Sequence, residues 1–565
     1  MNQQQDAHAQ RGRALYLQGR CGEAIQDFDR AVELGADSVE IHTLRGLALA
    51  GVQRRDAALE SYARALALTP DYPFALINRA ILYRESRQLE EALRDYDRAL
   101  AVQPDSFEAH CGRATALLDL HRFAEALDHG ERAAALRPER AEGYLRKALA
   151  LTGLDRHHEA LVCCDRTIAM APAMAEAHAG RAAALQYLGH HTLAVAAADR
   201  AIELAPQLAA AYFNRGAALR DLARIEDAIQ SFERARMIQP DDATINCNLG
   251  GLLLLLGRFD RGWALYEWRS RLPEAPKIHR YPQPAWDGAQ DIRGKILFVY
   301  VDQGLGDTIQ FARFAKLAQM RGARVVMSVQ STLCGLLSTL SPAIEILGHT
   351  EAAPAFDHHC PLASLPGAFK TTLETIPAEV RYLRAEPERV AAWRHRLSGP
   401  GFKIGVSWQG STIKTGVGRS FPLQALQQVA AIPGVRLISL QRGTGLEQLH
   451  SPAAAMRVET LGEDFDAGSD AFVDTAAVME CLDLVITCDT SIAHVAGALG
   501  RPTWVALKRV PDWRWMLDRA DNPWYPSVEV FRQTVDGRWE DVFDRIARQL
   551  QHRIAALNGV VVGKS

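Results

Sequence analysis

The chain has 565 residues, of which 48% are hydrophobic and 23% charged, and its formal net charge is -3. This length predicts roughly three or four cores, and the composition argues against wholesale disorder and against a membrane bundle. The small net charge provides no bulk attraction to nucleic acid or anionic lipid, so any phosphate binding must be local.

The start of the sequence and its cysteines predict a cytoplasmic protein. After Met1 the first residues are polar, where a secretory signal needs basic residues and then an apolar stretch. The most apolar run, residues 249–256, is much shorter than the roughly 20 residues of a membrane-spanning helix. The nine cysteines include no Cys-x-x-Cys pair, which argues against a disulfide framework and a metal site.

A period of 34 residues runs through the first half of the chain. Small, aromatic and proline positions share this period. A small residue lets two antiparallel helices approach, an aromatic four residues later lies on the same helical face, and proline ends each repeat. The series are the alanines Ala24, Ala58, Ala92, Ala126, Ala160, Ala194 and Ala228, continued by Gly262; the aromatics Phe28, Tyr62, Tyr96 and Phe232; and the prolines Pro70, Pro104, Pro138, Pro172, Pro206 and Pro240.

This pattern resembles the tetratricopeptide repeat over residues 5–270, as about eight units. The resemblance implies an α-solenoid whose stacked helix pairs form a concave surface suited to extended partners. The eighth unit departs from the pattern at its end and is expected to cap the array onto the second half of the chain.

Two ladders of basic residues follow the same period. One interpretation is structural, with ion pairs within and between repeats that are each worth no more than about 1 kcal/mol if exposed. The other is a groove of guanidinium groups, joined by Asn78, Asn214 and Asn248, that binds a partner. The first ladder is Arg11, Arg45, Arg79, Arg113, Lys147, Arg181 and Arg215, and the second is Arg30, Arg64, Arg98, Arg132, Arg166, Arg200 and Arg234.

The repeats stop near Ser270, and a proline-rich connector is predicted over residues 271–293. Short apolar runs then alternate with helical stretches, which predicts an α/β region with parallel sheets. A division near residues 384–401 predicts two Rossmann-like lobes, at 294–390 and at 400–557 with a C-terminal helix. The predicted strands are 296–301, 325–329, 404–408, 437–440, 484–487 and 503–507.

The turn after the first predicted strand carries Gly304, Gly306 and Asp307. Glycines permit close backbone approach and the amides of a helix start attract anions, so the two glycines are predicted to lie at a phosphate. Asp307 has two interpretations, an N-cap of the following helix and a functional carboxylate.

The strand predicted at 484–487 leads into a helix start that can cradle a diphosphate through hydroxyl and amide groups. Asp489, Thr490 and Ser491 form this start. His494 lies one turn further on; a lone helical histidine is often structural, but the surrounding pattern favours contact with a ligand.

A glycine-rich loop after the strand predicted at 404–408 carries Lys414 and Arg419. Each can neutralise a phosphate, worth about 1.5 to 3 kcal/mol where desolvated; the alternative is a solvated basic loop. Aromatic residues concentrate at 511–515 and 523–526, where they can stack on a sugar or a base, but we favour packing between lobes.

These motifs together resemble the lipopolysaccharide heptosyltransferase family over about residues 294–550. The resemblance implies two lobes of the GT-B type, a last helix that crosses back to the first lobe, and Asp307 as the catalytic base. This chain has Ser491 where the family often has glycine. The resemblance also implies that four residues contact the nucleotide diphosphate, namely Asp489, Thr490, Ser491 and His494.

The sequence therefore predicts an inverting, metal-independent glycosyltransferase that moves a sugar from a nucleotide-diphosphate sugar to a protein or glycan acceptor. Asp307 would deprotonate the acceptor, while Lys414, Arg419 and the helix start stabilise the diphosphate. The nucleotide sugar is a substrate, and no cofactor is expected. Repeats before such a domain are similar in arrangement to the O-linked N-acetylglucosamine transferases, which implies that the repeats recruit the acceptor or a partner. The alternative is a non-catalytic repeat scaffold with a vestigial or regulatory nucleotide cleft.

Overall fold

A computed structural model describes residues 2–273, 275, 281–410, 418–450, 456–468 and 471–557. The chain divides into two compact units at the junction of Gln239 and Pro240. The first unit consists of helix pairs, and the second begins with one further pair and continues into two parallel sheets. The prediction of a helical repeat array followed by parallel sheets is confirmed. Of the predicted connector, residues 274 and 276–280 lie outside the described residues.

The first unit repeats a pair of antiparallel helices because its small and aromatic positions are buried between them. All seven alanines of the 34-residue series are 0% exposed, and a Cβ added at Gly46 would lie 2.6 Å from the ring of Tyr62. The helices are α1 (Asn2–Leu17), α2 (Cys21–Glu33), α3 (Val39–Gly51), α4 (Arg55–Leu68), α5 (Pro73–Glu85), α6 (Leu89–Val102), α7 (Phe107–Asp119), α8 (Phe123–Leu136), α9 (Ala141–Gly153), α10 (His157–Met170), α11 (Ala175–Tyr187), α12 (His191–Leu204), α13 (Ala209–Asp221) and α14 (Ile225–Ile238).

The first basic ladder forms ion pairs inside the array, as its structural interpretation predicts. Every member contacts a carboxylate 16 residues away, and the distances lie between 2.6 and 2.9 Å. The pair Arg79–Asp95 is the most buried of these, with side chains 15% and 5% exposed. In the second ladder Arg64 and Arg98 bind aspartates that precede the first helix of a repeat, and Arg166 lies over the ring of Tyr144. These contacts stabilise the helix array by themselves, without a bound partner protein.

The eighth helix pair, α15 (Ala243–Leu255) and α16 (Phe259–Tyr266), belongs to the second unit. A 3-10 turn, Glu267–Arg271, follows it. A Cβ at Gly250 would lie 2.9 Å from the backbone of Tyr266, so glycine allows the two helices to pack closely. Trp263 Nε1 donates to the carbonyl of Thr371 at 2.9 Å. The pair therefore packs against the α/β region, as the end of the array was expected to do.

The first sheet has four parallel strands in the order β3-β2-β1-β4. Its strands carry buried aliphatic residues because helices cover the sheet. Two of the strands, β3 and β4, were not predicted. The elements are β1 (Ile296–Tyr300), α17 (Leu305–Met320), β2 (Arg324–Val329), α18 (Cys334–Leu337), β3 (Ile344–Gly348), β4 (His358–Pro361) and α19 (Leu365–Ala368).

The second sheet has six parallel strands in the order β10-β9-β8-β5-β6-β7. The last helix does not cross back as the GT-B resemblance implies, because its apolar face, including Phe543, packs in the core of this second sheet. The elements are α20 (Pro387–Arg396), β5 (Phe402–Ser407), α21 (Gln427–Ala430), β6 (Val435–Ser439), β7 (Val458–Glu459), α22 (Phe472–Met479), β8 (Leu484–Cys488), α23 (Ser491–Ala498), β9 (Thr503–Leu507), β10 (Val528–Arg532) and α24 (Glu540–Leu557).

Candidate active site

The carboxyl ends of the strands bring two predicted motifs together. β1 lies between β2 and β4, and its carboxyl end leads into α17; β8 lies beside β5, and its carboxyl end leads into α23. Parallel sheets bind ligands at such reversals of strand order. The two helices pack on each other. The turn at Asp307 and the helix start at Asp489 therefore share one site.

Gly306 is a point of close contact between α17 and α23. A Cβ at this position would lie 2.7 Å from His494 Cδ2, whereas a Cβ at Gly304 would meet nothing nearer than Asp307 Oδ2, at 3.5 Å. Gly306 thus serves helix packing. The predicted contact of both glycines with a phosphate stays a prediction.

His494 is buried at this helix contact, with 4% of its surface exposed. Its Nδ1 lies 2.9 Å from the hydroxyl of Tyr525, and its ring lies beside Trp515. Burial, and after it the charge of Arg514, lowers the pKa of His494 to about 3. The imidazole is therefore neutral near pH 7, and any contact with a ligand is a hydrogen bond and not an ion pair.

Asp307 is the third residue of α17 and not its N-cap, which is Gly304. Its Oδ2 accepts a hydrogen bond from the Gly304 amide at 3.1 Å, and its Oδ1 accepts one from the guanidinium of Arg514. Burial raises the pKa of Asp307, and Arg514 opposes the rise. The carboxylate therefore closes the first turn of its helix and also forms an ion pair with a residue that follows β9.

Arg514 connects Asp307 to a row of alternating charges across the site. Its Nη1 donates to Asp512 Oδ1 at 2.6 Å, and Asp512 Oδ2 lies 3.2 Å from Arg419 Nη2. Arg419 Nε lies 3.4 Å from Asp489 Oδ2. We call these five residues, Asp307, Arg514, Asp512, Arg419 and Asp489, the charge row. It joins the predicted base to the end of β8.

The carboxylates of the charge row have different environments. Burial raises the pKa of Asp489, and Arg419 opposes this. Burial would also raise the pKa of Asp512, but its two arginine partners hold it below the usual range. Asp512 is therefore the most firmly ionised of the three carboxylates and the one that fixes both guanidinium groups.

The predicted diphosphate cradle lies at the start of α23. Thr490 is the N-cap residue, and its side chain does not cap the helix; its Oγ1 lies 3.4 Å from that of Thr487. The segment that follows β5 lies against this turn, since a Cβ at Gly410 would be 3.0 Å from Thr490 Cγ2. The first amides of a helix have no partner within it, so this turn offers donors to an anion together with the hydroxyls of Thr490 and Ser491.

The predicted basic loop is described only in part. Lys414 lies outside the described residues. Arg419 takes its place in the charge row, and the hydroxyl of the next residue, Ser420, accepts a hydrogen bond from the Gly410 amide at 3.0 Å. Arg419 is therefore a member of the site and not a solvated basic side chain.

The sequence interpretation missed Arg514 and Asp512. Both lie in the aromatic segment 511–515, which was considered only for its tryptophans. Those tryptophans pack between the two α/β parts, as favoured: the ring of Trp513 lies against that of Phe311 in α17, with centroids 6.2 Å apart. The alternation of charged residues with buried tryptophans in this segment was the signal that could have identified them.

A second buried ion pair, Arg269–Asp302, was also missed. Arg269 Nη2 lies 2.8 Å from Asp302 Oδ2, and the two side chains are 6% and 3% exposed. Asp302 Oδ1 accepts a hydrogen bond from the Ala363 amide at 3.2 Å. This pair joins the 3-10 turn after the eighth helix pair to the carboxyl end of β1. A narrow space beside it, too small to hold a water molecule, is lined by Asp302, Asp307 and Phe311, among others.

Family comparison identifies the first part of the chain. The tetratricopeptide repeat family matches residues 9–73, 77–141 and 180–243. The N-terminal part of the chain is therefore an array of tetratricopeptide repeats, and such repeats suggest a protein partner. No helix in the described residues is both long and apolar enough to cross a membrane.

Similar proteins extend this comparison. Protein FlbA of Caulobacter vibrioides is 32% identical over 324 residues, which is 53% of this chain and 53% of that protein. The chain thus spans about half the length of this curated relative. A solved tetratricopeptide repeat protein of Parabacteroides merdae is 21% identical, with a TM-score of 0.38, over 44% of this chain and 98% of its own. YrrB, described as a TPR protein with an unusual peptide-binding site, is 24% identical with a TM-score of 0.26, over 33% of this chain and 96% of its own.

Proposed function

We propose that the protein is a glycosyltransferase of the GT-B type that moves a sugar from a nucleotide-diphosphate sugar to a protein or glycan acceptor. The observation that carries the proposal is the packing of α17 on α23, with Gly306 against His494. This packing sets a half-buried carboxylate, Asp307, in the same site as a helix start that offers amide and hydroxyl donors. A base and a phosphate cradle in one site are what glycosyl transfer without a metal requires.

The chemistry depends on these two parts. Asp307 takes the proton of the acceptor hydroxyl, and the acceptor oxygen forms a bond to the anomeric carbon. The bond from that carbon to the phosphate oxygen breaks on the opposite face, and its electron pair leaves with the nucleoside diphosphate, so the configuration inverts. General-base catalysis of this kind contributes about 10²- to 10⁴-fold.

The leaving diphosphate is stabilised by the start of α23 and by Arg419. Free amides and the helix dipole favour negative charge at this position, and Thr490 and Ser491 add hydroxyl donors. Lys414, in the loop outside the described residues, is proposed to add a second positive charge.

The repeats are proposed to recruit the acceptor or a partner. Stacked helix pairs expose a concave surface that suits an extended segment, and both basic ladders make ion pairs or ring contacts within the array. We therefore propose that the partner is bound in the groove formed by the helices that carry the two ladders, and not by free guanidinium groups. A cytoplasmic location fits the nine cysteines, all in described positions and none in a disulfide.

One observation favours the alternative, a repeat scaffold with a regulatory nucleotide cleft. The space beside Asp307 is too narrow to hold a water molecule, whereas small-molecule sites usually measure about 300 to 1,000 Å³. Arg514 also forms an ion pair with Asp307, the carboxylate that the transferase needs as a base. A scaffold would bind a nucleotide or nothing at this site and would not turn over a donor.

Donor hydrolysis separates the two proposals without an acceptor. The full chain is incubated with ADP-, GDP-, UDP- and CDP-linked sugars, and release of free sugar is measured. The transferase proposal expects slow hydrolysis of one donor, and Asp307→Asn should reduce it about 10²-fold or more. Asp291→Asn, a change at an exposed ion pair with Arg293, is the control and should retain activity. Absence of hydrolysis across the panel favours the scaffold, and full activity of Asp307→Asn refutes the assigned base.

A further inference from the structure

Arg514 is the residue of the charge row with the most partners. Its guanidinium donates to Asp307 and Asp512, and its Nη2 lies 3.5 Å from the hydroxyl of Tyr266. Only 9% of the residue is exposed. Its Nε is buried and makes no hydrogen bond to any residue that the structure describes. A buried N–H without an acceptor is costly, and it is a free donor at a site built from charges.

Asp512 holds Arg514 in place. One carboxylate oxygen binds Arg514 and the other faces Arg419, so the two guanidinium groups are fixed side by side. Two paired arginines are a common way to bind phosphate, because each presents several N–H donors in one plane. When all five members of the charge row are ionised, three carboxylates surround two guanidinium groups. A diphosphate that binds here must therefore compete with a carboxylate for an arginine.

Asp307 is the carboxylate that can give way. Asp512 contacts both arginines, whereas Asp307 contacts only Arg514 and keeps a second hydrogen bond, from the Gly304 amide, when Arg514 leaves. A diphosphate carries more charge than one carboxylate and competes effectively for the guanidinium.

We propose that Arg514 is shared between Asp307 and the diphosphate of the donor, so that donor binding draws the guanidinium to the phosphate and releases the carboxylate. This inference rests on the proposed function and adds to it a residue and an order of events. Before the donor binds, the carboxylate is occupied by an ion pair. After it binds, the carboxylate is free to accept a proton, and loss of the ion pair strengthens it as a base because Arg514 no longer lowers its pKa.

The test is the affinity of the full chain for nucleoside diphosphates in a cycle of variants. Binding of ADP, GDP, UDP and CDP is measured by calorimetry. Arg514→Met should weaken binding of the preferred nucleotide about tenfold or more, as expected for loss of a charge-assisted contact. Asp307→Asn should tighten binding about three- to tenfold, because the competing charge is gone. In the Arg514→Met background, Asp307→Asn should have no such effect.

This cycle distinguishes sharing from simple repulsion and from damage to the fold. Repulsion between Asp307 and the phosphates would tighten binding equally with and without Arg514, and that result would overturn the inference. Misfolding cannot produce the gain in affinity expected of Asp307→Asn. Arg514→Lys, which keeps a charge, is measured beside Arg514→Met and should retain part of the affinity.

A control and the wild-type result complete the design. Arg519→Met removes a nearby arginine whose partner, Asp521, is 70% exposed, and should leave affinity unchanged. If the wild-type chain binds none of the four nucleotides, the proposed donor chemistry fails together with this inference. If it binds one of them but Asp307→Asn leaves the affinity unchanged, this inference alone fails.

Discussion

Arg269→Met removes the guanidinium that joins the 3-10 turn after the eighth helix pair to Asp302 at the end of β1. The two side chains are 6% and 3% exposed, and Nη2 lies 2.8 Å from Oδ2. Asp302 would keep one hydrogen bond, from the Ala363 amide, and would otherwise be an uncompensated buried charge. Removal of one partner of a buried pair costs about 3 to 5 kcal/mol. We expect the free energy of unfolding of the second unit to fall by this amount.

The chain provides a specific probe for this loss. All ten tryptophans lie after Pro240, so their fluorescence during urea unfolding reports only on the second unit. With a slope of about 3 kcal/mol/M, the midpoint should fall by about 1 M or more. The double variant Arg269→Met/Asp302→Asn should recover most of the loss, because no buried charge is then left alone and Glu267, the other partner of Arg269, is 47% exposed. Arg293→Met, which breaks an exposed pair with side chains 79% and 62% exposed, should change stability by less than about 0.5 kcal/mol. Equal effects of Arg269→Met and Arg293→Met would refute the reasoning.

Two further changes test the site and its surroundings. Gly306→Ala puts a Cβ 2.7 Å from His494, so it should destabilise the second unit by about 1 to 3 kcal/mol and weaken nucleotide binding. Gly304→Ala, where the nearest atom to the new Cβ is 3.5 Å away, should change neither property. Equal urea midpoints for the two variants would contradict the contact between α17 and α23. Burial raises the pKa of Asp466 to about 6. The folded chain therefore keeps a proton that the unfolded chain releases from about pH 4 upward. The free energy of unfolding should fall by about 2 to 3 kcal/mol as pH rises from about 4 to about 6. Asp466→Asn should abolish that fall in urea midpoints, and an unchanged pH profile would show that another group causes it.

The repeat array could be predicted in detail because its physical requirement recurs at a fixed spacing. Each alanine of the series must be small for the same reason, so one period reveals seven buried positions. Gly262 continues the series, and the pair that contains it packs with the second unit, as the departure of the eighth unit from the pattern led us to expect. Sequence period records how helices pair and not which core the last pair joins.

The strands were predicted where they are continuously apolar, and missed where they are not. β8 is buried at every position, and its sequence shows it. β4 (His358–Pro361) contains two histidines and a proline, and β10 carries a glutamate and an arginine at partly exposed positions, so neither resembles a buried strand. Pairing with neighbours, and not local propensity, determines these strands.

The residues of the candidate site were likewise predicted where they follow buried strands and missed where they do not. Asp307 and Asp489 were found because each follows a buried strand, and parallel sheets bind ligands at the carboxyl ends of their strands. Arg514 lies 207 residues after Asp307 and reaches it only through the tertiary fold. Its segment is dominated by tryptophans, whose packing explains the local sequence without reference to charge.

The central claim is that the start of α23 and the charge row bind the diphosphate of a sugar donor. A crystal structure of the full chain soaked with the nucleoside diphosphate that binds most tightly tests it most directly. We predict phosphate oxygens within hydrogen-bond distance of the Ser491 amide and of Arg419, with Arg514 turned from Asp307 to the phosphate. A nucleotide bound elsewhere on the chain, with Asp307 and Arg514 still paired, would contradict the account.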